Sequence, residues 1–329
     1  MGSENELFSG REFAPSLWLA LFSFHHRARK VRGRDTYEYH EPATALFILS
    51  TMNCSWQQGL ADSRLCLAHH EVRSTLLLQP LWDLVRGKEG WLKSPFFPVL
   101  FSFMVYMLFC IPFLALDLLS SKVPSLRRYK IQPQRSPTAG VLLGCVLHTV
   151  YNHVVFIFPV TVAHWYWRPV SLPSVAPGLL GVLLDTTACL LLFDFQYFLW
   201  HVLHHRVPWL YKTFHKLHHK HTATFALSTH YSSAWETLSL GLFAGACPML
   251  LKCHPLTEMA FFVVNIWLSV EDHSGYDLPW STHRLVPFGL CGGPPHHDLH
   301  HLRFKSNYAP YFTHWDKLLG TFVDLDPKE

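Results

Sequence analysis

The sequence of 329 residues is 50% hydrophobic and only 15% charged, whereas soluble domains usually carry about 25% charged residues. The net charge of +4 is too small to indicate a nucleic-acid-binding protein, and the eight cysteines contain no C-x-x-C pair and no dense disulfide framework. Composition therefore favours a membrane protein and leaves 24 histidines as the unusual feature, of which 16 lie between His201 and His314.

The N-terminal region is predicted to form a disordered or irregular extension. The apolar stretch from Phe13 to Phe24 is shorter than the about 20 residues that a transmembrane helix needs. A basic run from His25 to Arg32 follows it, whereas a secretory signal carries its positive charges before the apolar segment. We therefore predict an extension over residues 1–51 and a membrane-embedded domain over residues 52–329.

The first predicted span runs from Phe96 to Leu119, and the charges after it indicate its orientation. Residues 122–135 contain five basic residues and no acidic residue, so the positive-inside rule predicts that this segment is cytosolic. The N-terminal side is then lumenal. Glycosylation is predicted there at Asn53, in the sequon Asn53-Cys54-Ser55.

Three further apolar stretches complete the predicted membrane domain. They cover Ala139–Trp167, Gly178–Trp200 and Thr237–Val270. The last stretch is interrupted at residues 252–255, which predicts a helical hairpin that enters and leaves on one side of the membrane. Counting the crossings places the later histidines on the cytosolic face. The predicted fold is an all-α multi-span membrane protein with a cytosolic helical cap that carries a histidine-rich di-metal site.

Three histidine clusters follow the third span, at residues 201–205 (cluster one), 215–219 (cluster two) and 296–301 (cluster three). Residues three and four apart lie on one face of a helix, so each cluster predicts a set of imidazoles that point the same way. A further histidine lies between the second and third clusters. The predicted metal ligands are His201, His205, His215, His218, His219, His273, His297, His300 and His301.

So many imidazoles indicate two metal ions rather than one, because a metal with an open position for substrate seldom takes more than four or five protein nitrogens. The clusters contain no cysteine, which argues against structural zinc and iron–sulfur sites. Imidazole suits iron, zinc, copper and nickel, so the ligand type alone does not choose the metal. Oxidation of an unactivated C–H bond favours iron, since zinc has no redox chemistry.

Isolated histidines are interpreted as ordinary polar residues of the core or surface. This interpretation covers His148, His153, His164, His230, His254 and His314, and it is favoured for His204, His221 and His283.

Acidic residues near the clusters are candidates to support the ligands, because a metal-bound imidazole usually donates its second N–H to a carboxylate or a carbonyl. Asp194 is the leading candidate, since it lies two helical turns before His201 on the same face. Weaker candidates are Asp298, Asp272 and Glu236.

The pattern H-x-x-x-H, then H-x-x-H-H, then H-H-x-x-H-H on a multi-span chain resembles the fatty acid hydroxylase and sterol desaturase superfamily, whose members are membrane di-iron oxygenases. The similarity covers about residues 52–325. It is more specific to sterol hydroxylases of the superfamily in the stretches LQPLWD (78–83), VPWLY (207–211), VVNIWLSVEDHSGY (263–276), PWSTHRLVPFG (279–289) and APYFTHWDKLLG (309–320). Residues 1–51 fall outside it, which makes Met52 an alternative start of translation.

Carried over residue by residue, the resemblance implies the eight cluster ligands and His273. Fatty acid hydroxylases have another histidine four residues after the position of His273, where this chain has Asp277. We interpret Asp277 as a loop acid, so water or His296 is the alternative for a tenth ligand. His204 lies within cluster one and is an alternative to His205.

The resemblance implies O2-dependent hydroxylation of a sterol, with cholesterol attacked at carbon 25, in the endoplasmic reticulum membrane. The chain has no flavin, haem or nucleotide-binding signature, so an external reductase or cytochrome must supply two electrons. A sterol 4-methyl oxidase and a fatty-acid or sphingoid hydroxylase are alternatives that share the clusters. A non-enzymatic metal- or sterol-binding membrane protein and a metal transporter are alternatives from other classes.

Overall fold

The structure is a computed structural model that describes residues 77–120 and 122–324. Three predictions fall outside these residues, namely the extension over residues 1–51, the domain boundary at residue 52 and the glycosylation of Asn53. All three remain predictions.

The described residues form helices and connecting segments without a β-strand, which confirms the predicted all-α class. Isolated β-bridges pair Lys130 with Tyr276 and Cys291 with Phe312. We number seven helices: α1 Phe96–Ser120, α2 Ala139–Asn152, α3 Phe158–Trp167, α4 Leu179–Arg206, α5 Ala234–Leu250, α6 Pro255–Asp272 and α7 Gly293–Arg303. Residues 77–86 are also helical. Short α-helical turns cover Glu89–Leu92, Pro124–Arg127, Pro208–Leu210, Thr282–Leu285 and His314–Leu319. The π-helical turns cover His153–Ile157 and Tyr211–His215. The 3-10 turns cover His218–Lys220, Ala226–Ser228 and Pro287–Gly289.

Three helical stretches are long and apolar enough to cross a membrane, by length and composition. They are α1, the continuous stretch from α2 to α3, and α4. The first two end within one residue of the sequence prediction, but α4 continues six residues beyond the predicted end at Trp200. Residues His201–Arg206, which include the three histidines of cluster one, keep a helical backbone, so cluster one is the end of a candidate span.

The predicted hairpin is formed by α5 and α6, with a turn at Lys252, whose φ is +54°. Both helices pack on α4, where Cys189 and Phe193 share a buried apolar cluster with Cys247 of α5 and Phe261 of α6. On its other side, α6 packs against α1 through a second buried cluster. Helix α6 is therefore the centre of the bundle.

Hydrogen bonds between the connecting segments show which helix ends lie together. The connection after α1 meets the segment after α6, where Ile131 N donates to Gly275 O at 3.0 Å and Asp277 N donates to Tyr129 O at 2.8 Å. At the opposite end, Trp165 Nε1 donates to Lys93 O at 2.6 Å. The basic connection after α1 and the segment that follows α6 therefore lie at the same end of the bundle. Gln132 of this connection also donates to Asp298 of cluster three at 2.8 Å, so the histidine clusters lie at this end.

Candidate metal centre

Each histidine cluster is placed by a different element at this end of the bundle. Cluster one lies in the last turns of α4, and cluster three lies in α7. Cluster two departs from the predicted helix, because its backbone changes from the π-helical turn Tyr211–His215 to the 3-10 turn His218–Lys220. His273 directly follows α6.

The nine predicted ligand histidines lie in two groups, within each of which one ring nitrogen per residue lies within 4.8 Å of the others. All nine are buried except His205, which is half-buried. Group one consists of His201, His205, His215, His219 and His300, and group two consists of His218, His273, His297 and His301.

Clusters two and three each contribute histidines to both groups. The helical spacing had predicted instead that all the imidazoles of one cluster point in the same direction. In α7, His297 and His301 are four residues apart and belong to group two, while His300 belongs to group one. In cluster two, the irregular backbone directs only His218 to group two. The two groups are therefore adjacent, with ring centroids of His300 and His301 5.8 Å apart.

The ring nitrogens are oriented to bind a cation. Neighbouring Nε2 atoms within a group are 3.0–3.2 Å apart. Four of the nine rings donate from Nδ1 to a backbone carbonyl at 2.6–3.2 Å, which leaves the lone pair on Nε2. Lone pairs that face one another repel unless a cation lies between them. Metal–imidazole bonds of about 2.1 Å that meet at right angles would place nitrogens about 3.0 Å apart, so both groups fit a metal ion.

Burial favours the neutral form of these imidazoles. Desolvation, reinforced by neighbouring histidines, holds the pKa of His215, His218 and His219 well below its usual value. Desolvation lowers the pKa of His273 to about 4. Neutral imidazole is the form that binds metals, so the groups are ready for cations near neutral pH.

Glu236 is the carboxylate that contacts the ligand histidines. Its Oε2 accepts a hydrogen bond from His215 Nδ1 at 3.1 Å, and its Oε1 lies 3.9 Å from His218 Nδ1, so it contacts both groups. Sequence analysis ranked Glu236 below Asp194. The sequence feature that could have identified Glu236 is the capping motif Ser233-x-x-Glu236 after cluster two, which places an acid in the first turn of α5.

Asp194 and Asp298 contact backbone segments beside the ligands rather than the ligands themselves. Asp194 Oδ1 accepts from the backbone N–H groups of Tyr311 and Phe312 at 2.8 and 3.2 Å. Asp298 Oδ1 accepts from the backbone N–H of Thr224 at 3.2 Å, and its Oδ2 accepts from Gln132 Nε2 at 2.8 Å. Asp194 does not reach His201 because two helical turns separate them by about 10 Å.

The two alternative ligands, His204 and His296, and the loop acid Asp277 lie outside both groups. His204 stacks on Trp200 and donates from Nδ1 to its carbonyl at 2.7 Å. The Nε2 of His296 lies 3.3 Å from a carboxylate oxygen of Asp316. Asp277 binds Arg284, with bonds of 2.5 and 2.8 Å, and is a member of neither group. Asp272 is buried without a contact to a ligand histidine in the described residues.

Comparison with known proteins places this geometry in a family. The fatty acid hydroxylase family model matches residues 186–321. A cholesterol 25-hydroxylase-like protein of Danio rerio is 66% identical over 244 residues, which cover 74% of this chain and 97% of that protein. Cholesterol 25-hydroxylase of Homo sapiens is 58% identical over 273 residues, which cover 83% of this chain and 97% of that protein. Cholesterol 25-hydroxylase of Rattus norvegicus is 60% identical over 246 residues, 75% of this chain and 83% of that protein. No solved structure matches the chain.

Proposed function

This chain belongs to the fatty acid hydroxylase family, and we propose that it catalyses the O2-dependent hydroxylation of cholesterol at carbon 25. The observation that carries the proposal is the pair of histidine groups with converging Nε2 atoms. The relatives named cholesterol 25-hydroxylase support the choice of a sterol as substrate.

We propose that the nine histidines hold two iron ions, one in each group. Iron held there would supply the redox chemistry for O2-dependent oxidation of a C–H bond, which zinc would not supply. The balanced reaction consumes the sterol, O2, two electrons and two protons, and yields the hydroxysterol and water. No side chain is required as a nucleophile.

The protein's own residues hold and orient the metal ligands in this proposal. Carbonyls of Tyr308, Ser306 and Ser269 fix the rings of His201, His300 and His273 through their Nδ1 atoms. The carboxyl oxygens of Glu236 contact a histidine of each group, and such partners orient a histidine and raise its basicity as a ligand.

The proposed setting is the endoplasmic reticulum membrane, with the histidine groups on the cytosolic side. Support comes from the basic connection after α1, which lies at the same end of the bundle as the histidine groups and is expected to be cytosolic. A reductase or cytochrome would then deliver electrons from outside the chain. Asn53 would be lumenal and a glycosylation site.

Product analysis tests the proposal. Microsomes from cells that express the chain would receive labelled cholesterol and an electron-donating reductase, beside microsomes that carry His218→Ala and His219→Ala. We expect a 25-hydroxycholesterol product that disappears in the variant. Loss of a 4-methyl group from another sterol, or oxidation of a fatty acid instead of cholesterol, would overturn the substrate. Sterol binding without any oxidation would overturn the enzymatic function.

A further inference from the structure

A band of exposed apolar side chains lies outside the three candidate spans. Its side chains belong to residues 280–290 and to the short helix His314–Leu319. Both segments contain enough polar residues that no membrane span is predicted for them. We call it the apolar rim, and it consists of Trp280, Leu285, Phe288, Leu290, Leu318 and Leu319.

The two segments of the rim are joined to each other. The backbone N–H of Thr313 donates to Leu290 O at 2.9 Å, and Lys317 Nζ donates to Gly289 O at 2.9 Å. An isolated β-bridge between Cys291 and Phe312 continues this contact. The rim is therefore one surface rather than two separate exposed loops.

Contacts with α4 and α6 show how far the rim lies from the metal groups along the axes of these helices. Trp267 of α6 donates from Nε1 to Thr282 Oγ1 at 3.3 Å, and Trp315 packs on Phe195 of α4 with ring centroids 4.8 Å apart. Trp267 and Phe195 are each six residues before a ligand histidine, His273 and His201. Six helical residues span about 9 Å. The rim is thus attached about 9 Å below the metal groups, toward the middle of the spans.

This height falls within the apolar part of α4. Phe195 is 16 residues after the start of the helix, about 24 Å along it, and a hydrocarbon core is about 30 Å thick. Leu191 and Leu199 of α4, each about 6 Å along the helix from Phe195, are exposed. Lipid that covers this face of α4 would also reach the rim.

Phe288 is held outward by its backbone. It has φ +63° and ψ +15°, a left-handed conformation that is unfavourable for a residue with a Cβ, and its side chain is 88% exposed. A strained backbone that presents an apolar ring to the outside indicates a function for that ring. The ring has no packing role within the described residues.

The charges around the rim suit a membrane surface. Residues 278–291 contain no acidic residue, and the exposed cations beside the rim are Arg284 and Lys317. Arg284 points back to Asp277, at the end of the bundle that carries the histidines. Tryptophan together with lysine and arginine is typical of the boundary between hydrocarbon and water, where long cationic side chains reach the polar layer.

We propose that the apolar rim is embedded in the bilayer and contacts lipid acyl chains in the plane of the membrane, beside α4 and α6. The inference rests on the proposed membrane location of the chain and adds a membrane contact outside the three candidate spans and the α5–α6 hairpin. Its occupant is lipid rather than a second protein, because the rim continues the exposed apolar face of a span and carries cations suited to phospholipid headgroups.

Photocrosslinking in phosphatidylcholine nanodiscs tests the inference. The full chain would carry p-benzoylphenylalanine in place of Phe288, and peptide mass spectrometry would detect a covalent lipid adduct. The matched controls carry the same group at Leu183, an exposed position in α4, and at Lys305, an exposed position beside cluster three. Unchanged iron content in each variant would show that the fold is intact.

We expect lipid adducts at position 288 in a yield similar to that at position 183, and none at position 305. Absence of lipid adducts at position 288 while position 183 reacts would overturn the inference and leave the membrane location intact. Adducts that join two copies of the chain through position 288 would assign the rim to a protein interface instead. Absence at both positions would contradict the membrane location itself.

Discussion

The two histidine groups differ in number of ligands and in surroundings. Group one has five imidazoles, includes the half-buried His205, and receives the shorter contact from Glu236 at 3.1 Å. Group two has four imidazoles, all of them buried, and its contact with Glu236 is longer at 3.9 Å. A metal in group two would therefore have more open coordination positions and less support.

This difference indicates a division of roles between the two groups. The resemblance to fatty acid hydroxylases implies a further histidine at the position of Asp277, which in this chain binds Arg284 and is not a member of group two. One member of group two, His273, also directly follows α6, the centre of the bundle. We therefore expect substrate and O2 to approach the metal of group two, while group one holds its metal more firmly.

The largest effect is expected from a comparison of two adjacent histidines in cluster one. His205→Ala removes a member of group one and should lower hydroxylation by more than about 100-fold, since even supporting residues of metal sites contribute about 10- to 100-fold. His204→Ala removes a ring outside both groups, which stacks on Trp200 and accepts a hydrogen bond from Trp235 Nε1 at 3.3 Å, so most activity should remain. Product formation in microsomes measures both. Equal losses in the two variants would remove the distinction between His204 and His205.

A smaller effect is expected from Glu236→Gln, which keeps the shape of the side chain but replaces its carboxyl group with an amide. Metal affinity should fall about 10- to 100-fold, and more strongly for group one, whose His215 makes the shorter contact. Iron retention during titration with a chelator measures this loss. Glu258→Gln at the start of α6, the opposite end of the hairpin, is the matched control. Similar retention in both variants would show that Glu236 does not support the metals.

The smallest effect is expected from Asp277→His, which restores the residue type of the family at that position. The new imidazole should face Arg284 rather than group two, so iron retention should not rise. Loss of the partly exposed ion pair should cost about 0–1 kcal/mol of unfolding free energy. Thermal unfolding and iron content measure the two quantities, with Asp277→Asn as the control. Tighter iron binding in the histidine variant alone would show that position 277 can reach group two.

Much of this arrangement could be predicted from the sequence. Hydropathy identified the spans, because apolar stretches of sufficient length are unambiguous, and the spacing of cluster one predicted that His201 and His205 share a face. The division of clusters two and three between the groups was not predictable. It depends on the backbone change near His218, which has no clear local sequence signal, and on α7 lying between the groups.

The supporting residues were harder to predict than the ligands. Asp194 was ranked first because its spacing from His201 is helical, yet its partners are the backbone N–H groups at Tyr311 and Phe312, more than 100 residues away in sequence. Glu236 contacts the ligands because Ser233, the N-cap of α5, donates to the carbonyl of Phe214 and holds the helix start beside cluster two. Such tertiary contacts are not encoded in spacing.

The most direct test of the two-group metal centre compares His300→Ala with His301→Ala. These residues are adjacent in α7 but belong to different groups. Iron content per chain would be measured on purified protein by mass spectrometry, with Mössbauer spectra of 57Fe-loaded samples. We expect two irons in the unsubstituted chain, and one iron in each variant with different spectra, because each variant retains a different group. One iron in the unsubstituted chain, or identical residual spectra in the two variants, would contradict the account.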